Sequence, residues 1–69
     1  MNRQPVVSSN ISSVGYDSDD LVLEIEFNNG AIYQYFDVPE NVFQELINAG
    51  SVGGYLASHI KGHYRYSRV

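Results

Sequence analysis

The chain has no cysteine, and that absence removes disulfide frameworks, thiolate metal sites and cysteine nucleophiles together. A reducing, cytoplasmic location is the matching expectation. No apolar run approaches the ~20 residues of a membrane-spanning helix, and the opening MNRQPVVSSN carries one arginine with no apolar stretch behind it. Neither membrane insertion nor secretion is expected. Proline occurs only twice, and 43% hydrophobic with 13% aromatic residues is too apolar for a disordered tail despite a net charge of −4. At 69 residues the chain suffices for one small domain, because chains of this size bury only about 60% of the surface their unfolded form exposes.

Basic residues are scarce and unevenly placed. Arg3 is the one cation among residues 1–45, where it faces the eight acids Asp17, Asp19, Asp20, Glu24, Glu26, Asp37, Glu40 and Glu45, a net −7. Residues 46–69 carry Lys61, Arg65 and Arg68 and no acid, a net +3. An acidic body with a basic end steers an anionic partner toward one edge, because local potential governs approach within the Debye length. Alternatively, the two regions complement each other within the fold or stay solvated.

Residues 1–9 contain a proline and no clear period, and read as a flexible arm or a lead-in to a strand. Ile11, Val14 and Tyr16 then mark a short strand that ends at the turn-forming cluster Asp17-Ser18-Asp19-Asp20. Leu21, Leu23, Ile25 and Phe27 alternate with Val22, Glu24 and Glu26, the period of a strand with one dry face. After Asn28-Asn29-Gly30 the pattern resumes over 31–37, which predicts a β-hairpin. A two-residue Asn29-Gly30 turn would pair Phe27 with Ile32 and set Tyr33 and Tyr35 beside Glu24 and Glu26. A three-residue loop with Gly30 in a G1 bulge would pair Phe27 with Ala31 and gather Leu23, Ile25, Phe27, Tyr33 and Tyr35 on one face. The second register is preferred for that reason, with both tyrosines in the core and their hydroxyls reaching a polar rim.

Pro39 suits a first helical turn, with Asp37 and Glu40 at the positive end of the helix dipole. Val42, Phe43, Leu46 and Ile47 form one helical stripe, and Gly50 ends it. Ser51 caps a second helix running to about Lys61, with Tyr55, Leu56, His59 and Ile60 on its inner stripe and Gly62 as its stop. Residues 63–69 alternate aromatic and polar residues as an extended tail or a short final strand. The expected architecture is α+β: a three-stranded antiparallel β-meander, a two-helix hairpin, and a short C-terminal strand as an option.

His59 and His63 have the spacing of two helical metal ligands, yet Gly62 intervenes and no third ligand is evident, so neither a metal nor another cofactor is expected. The Asp17 to Asp20 cluster lacks the glycine and terminal glutamate of a calcium loop. No serine, histidine and acid set can be placed for catalysis, and an enzyme is not expected. Ser51, Gly53 and Gly54 at a helix start offer backbone N–H groups to a phosphate; the alternative is that the glycines permit close packing. The segment holding Lys61, His63, Tyr64, Arg65, Tyr66 and Arg68 interleaves cations with aromatic rings, a composition suited to unpaired bases and their phosphates. Tyr64 and Tyr66 equally suit the cover of a core.

Taken as an ordered set, Tyr16-Asp17, LVLEIEFNNG, Tyr33-x-Tyr35, Val38-Pro39, Ala49-x-Ser51-x-Gly53, Tyr55, Ile60 and the terminal YRYSRV resemble the KTSC domain over residues 10–69. That family is named for its place at the C-terminus of some lysyl-tRNA synthetases and also occurs as free-standing small bacterial proteins, of which this chain looks like one. The resemblance implies an accessory module for tRNA or single-stranded RNA. The second class of function, on the residues themselves, is a protein-interaction module presenting a sheet edge or aromatic patch.

Overall fold

The computed structural model describes residues 1–69 and arranges five antiparallel strands in the order β1-β2-β3-β4-β5. These are β1 (Arg3–Pro5), β2 (Ile11–Asp17), β3 (Val22–Phe27), β4 (Ile32–Tyr35) and β5 (Tyr66–Arg68). Between β4 and β5 lie α1 (Glu40–Ile47) and α2 (Val52–Tyr55), the latter continuing as a π-helical turn over Leu56–Ile60. The α+β class holds, and the expected meander is the centre of a wider sheet. Each edge gains one short strand.

The hairpin takes the three-residue loop. Phe27 N–H donates to the Ala31 carbonyl and Gly30 N–H to the Phe27 carbonyl, each at 2.9 Å. Gly30 has φ +90°, which closes the G1 bulge. Leu23 therefore pairs with Tyr35 and Ile25 with Tyr33, placing all four on the dry face. β2 reaches the same face through a bulge between Ile11 and Ser13, so Ile11 and Val14 are both buried although three residues apart. Leu21, expected at the head of the dry stripe, instead closes the preceding turn at φ +57° with 39% of its surface exposed. Its carbonyl accepts the Val38 N–H, so the turn holds it out of the strand.

Both helical segments cover the dry face, adding Leu46, Val52, Leu56 and Ile60 to a core of Ile11, Val14, Leu23, Ile25, Tyr35 and Val38. Tyr16 ties β2 to α1 by stacking on Phe43, with centroids 5.0 Å apart, and by donating its hydroxyl to the Val38 carbonyl. The second helix departs from the expected stripe: Val52 is buried at its start, whereas His59 is exposed and lies on the Tyr55 ring. Its last turn closes with Lys61 N–H donating to the Leu56 carbonyl, and Gly62 at φ +82° then reverses the chain toward β5.

The expected arm over residues 1–9 contains β1, which periodicity could not reveal because its three residues are exposed. β1 is held by backbone pairing and by ions. Arg3 crosses Gly15 to reach β3, where its guanidinium lies 2.6 Å from Glu24 and 3.8 Å from Glu26. A Cβ at Gly15 would sit 2.9 Å from Arg3 Cγ and 2.8 Å from the Asn2 carbonyl oxygen, so a side chain there would lift β1 off the sheet.

Candidate functional site: an aromatic cleft with two unpaired cations

Pairing of β5 with β4 brings distant residues together. Tyr66 faces Tyr35 and Arg68 faces Tyr33 across the ladder, so the tail's tyrosine and arginine join the dry-face tyrosines of the hairpin. Beyond the helix end this face is uncovered, leaving an open cleft of about 570 Å³. Phe27, Tyr33, Tyr35 and Tyr66 form its walls and floor, with Asn29, Ala31, Lys61, Gly62 and Arg68 around them. The rings contact one another: Phe27 and Tyr33 meet edge to face at 5.6 Å, and Tyr66 lies 5.7 Å from Tyr33 and 5.8 Å from Tyr35. Tyr66 remains 61% exposed, a large ring face open to solvent.

The electrostatics of the cleft differ from those of the rest of the chain. No carboxylate lines it, although the chain has eight. Of the four Lys and Arg residues, Arg3 is paired with Glu24 and Glu26, and Arg65 with Asp37 at 2.9 Å. Lys61 and Arg68 form no ion pair, and both line the cleft. Lys61 Nζ lies 5.5 Å from the Phe27 ring centre, a cation held against an aromatic face. Burial, followed by the neighbouring Tyr33 and Tyr66 phenols, pushes the Tyr35 hydroxyl above the ordinary tyrosine value, so it is neutral at pH 7.

The residues expected from the sequence divide into groups. Lys61, Tyr66 and Arg68 converge on the cleft. Arg65 lies outside it, engaged by Asp37 and placed over the Phe36 ring at 5.6 Å. Tyr64 packs against the core, and exposed His63 stands in the turn after the helix. Ser51, Gly53 and Gly54 lie in a separate depression with residues 7–10. There the Ser51 hydroxyl accepts the Gly54 N–H at 3.0 Å, and a Cβ on Gly53 would meet Asn10 Oδ1 at 2.5 Å. A Cβ on Gly54 would meet the Ser51 hydroxyl at 2.9 Å. Sequence reasoning missed Phe27, Asn29, Ala31, Tyr33, Tyr35 and Gly62 as cleft residues. The signal was the period-two alternation Tyr64, Tyr66, Arg68, which matches the strand alternation of Tyr33 and Tyr35.

A family model described as the KTSC domain matches residues 7–64. The chain belongs to the KTSC domain family. A crystal structure of a KTSC domain protein from Yersinia pestis superposes with a TM-score of 0.94 at 43% identity, covering 99% of this chain and 96% of that one. An uncharacterized protein of Stutzerimonas stutzeri is 43% identical over all of this chain and 99% of its own length. A lysine–tRNA ligase of Trichormus variabilis is 41% identical over 86% of this chain, which spans 10% of that enzyme. No helix of the KTSC chain is long and apolar enough to cross a membrane.

Proposed function

We propose that this KTSC protein is a non-catalytic module of the cytoplasm that binds unpaired RNA, such as a single-stranded segment of tRNA, in the aromatic cleft. One observation carries the reading: the two cations without ion pairs line the same cleft as the rings of Phe27, Tyr33, Tyr35 and exposed Tyr66. Bases stack on tyrosine and phenylalanine faces, while lysine and arginine neutralise the phosphates that follow the bases. Tyr66 supplies the stacking face, Lys61 and Arg68 the phosphate contacts. The acidic body, with exposed Asp19, Asp20 and Glu40 outside the cleft and without ion pairs, repels the rest of the strand and confines contact to this side. The tRNA ligase relative adds support, because a domain similar to this one stands within an enzyme named for tRNA.

The test is a residue-resolved titration of the labelled protein with a single-stranded oligoribonucleotide at low salt. Amide shifts should concentrate at Phe27, Asn29, Ala31, Lys61, Gly62 and Tyr66 and spare Arg3, Gly15 and Glu24. Shifts centred on 51–54 would move the site to the helix start. No shifts from the folded protein would discard RNA and favour a protein partner for the exposed rings.

A further inference from the structure

The cleft is lined by a polar group that the fold does not use. Tyr35 is 3% exposed, yet its hydroxyl makes no hydrogen bond within the protein. Buried tyrosine hydroxyls ordinarily find a partner, as Tyr16 does in the Val38 carbonyl. No fully enclosed side-chain oxygen or nitrogen in the molecule lacks one, so the sliver of Tyr35 that meets solvent includes its hydroxyl, and the residue lines the cleft.

We infer that Tyr35 is the specificity-determining residue of this site, its hydroxyl reading the edge of one RNA base inserted into the cleft. This rests on the RNA-binding reading given above. The position of each group in the cleft assigns its role. Lys61 and Arg68 are exposed at the rim, where phosphates remain hydrated, so the charged backbone stays outside. The Tyr35 hydroxyl opens into the cleft beside the Tyr33 and Tyr66 rings, so a base stacked on those rings is the part of a nucleotide within its reach. Tyr33 and Tyr66 supply the aromatic surfaces beside it. The phenol is neutral at pH 7, both donor and acceptor, and bases differ in the donors and acceptors they present along their edges. A stacking platform alone tolerates every base, because each has a π-face; a hydrogen-bonding group fixed beside the stack does not, because a base that presents no matching edge there leaves it unpaired.

The experiment compares the affinity of the full chain and of Tyr35→Phe for short single-stranded homopolymers of adenylate, cytidylate and uridylate. Fluorescence anisotropy gives each affinity at several salt concentrations. The parent should prefer one base by about threefold to tenfold, the range of one net hydrogen bond. Tyr35→Phe should reduce that preference to under about twofold while leaving the salt dependence and the melting temperature unchanged. Tyr66→Phe, which removes the hydroxyl of the exposed ring and keeps its stacking face, should keep the preference. Equal binding of all three homopolymers by the parent would overturn the inference and leave the RNA reading standing. A preference that survives Tyr35→Phe, or that Tyr66→Phe abolishes equally, would also overturn it. Unfolding of Tyr35→Phe would do the same, by showing that the hydroxyl serves the fold. Absence of binding to any homopolymer would remove this inference and the RNA reading together.

Discussion

The two faces of the sheet treat their polar groups in opposite ways. On the outer face Arg3, Glu24 and Gln34 form one closed line across the four strands β1 to β4: Glu24 accepts from Arg3 at 2.6 Å and from Gln34 at 2.9 Å. Glu26 accepts from the Ser13 hydroxyl at 2.9 Å beside them. On the inner face, beyond the end of the helical cover, Lys61 and Arg68 have no acid and Tyr35 has no hydrogen-bond partner. A polar group already satisfied by its neighbours stabilises the fold and has little left for a ligand. The unsatisfied ones mark where binding energy remains available.

The largest effect should come from the support both faces share. Leu23→Ala or Leu46→Ala removes a fully buried side chain and should destabilise by about 2 to 5 kcal/mol. For so small a domain that approaches the whole stability. Thermal melts check this, and a shift of only a few degrees for both variants would show that the core has been misplaced.

The next variants separate the faces. Glu24→Ala leaves the Arg3 guanidinium and the Gln34 amide without their acceptor and should cost about 1 to 3 kcal/mol. The double variant Lys61→Gln, Arg68→Gln should change stability by less than about 1 kcal/mol, because neither cation has an ion pair and the Lys61 contact with the Phe27 ring is all that is lost. Equal losses in urea denaturation would erase the distinction. Gly30→Ala should cost about 1 kcal/mol through its positive φ alone, since nothing lies within 4 Å of the added methyl. An unchanged urea midpoint would contradict the G1 bulge.

The smallest effect is a pH dependence confined to the outer face. The Gln34 amide, then the Arg3 guanidinium, holds the Glu24 carboxyl below its ordinary value, and burial only partly opposes them. A carboxylate whose folded pKa is depressed adds stability above its unfolded pKa, and that contribution disappears as pH falls through the folded value. Denaturation midpoints should therefore decline below about pH 4.5 in the parent and less steeply in Glu24→Gln. Identical profiles would show that this carboxylate titrates alike folded and unfolded.

Much of the fold was legible because burial imposes a period. Leu23, Ile25, Tyr33 and Tyr35 alternate, so the hairpin register followed from gathering them on one face. The stripe Val42, Phe43, Leu46 and Ile47 announced α1 in the same way. β1 carries no such pattern, since charge crossing over Gly15 holds it rather than apolar burial. The β2 bulge hides its alternation by setting Ile11 and Val14 on one face at an odd spacing. The cleft was half visible for a related reason. Tyr33 and Tyr35 read as core, and Lys61, Tyr66 and Arg68 as a basic tail. Only the pairing of β4 with β5, a contact between segments some thirty residues apart, makes them one surface.

The most direct test of the account is the salt dependence of binding to a single-stranded oligoribonucleotide, measured on the parent and on the Lys61→Gln, Arg68→Gln double variant. The folded parent should bind at low salt, and log affinity should fall linearly as log salt rises. The double variant should bind more weakly, with that slope reduced by about 1.4, or about 0.7 for each lost phosphate contact on a single strand. A parent that does not bind, or a double variant that keeps the parent's affinity and slope, would contradict the claim that the two unpaired cations of the cleft hold RNA.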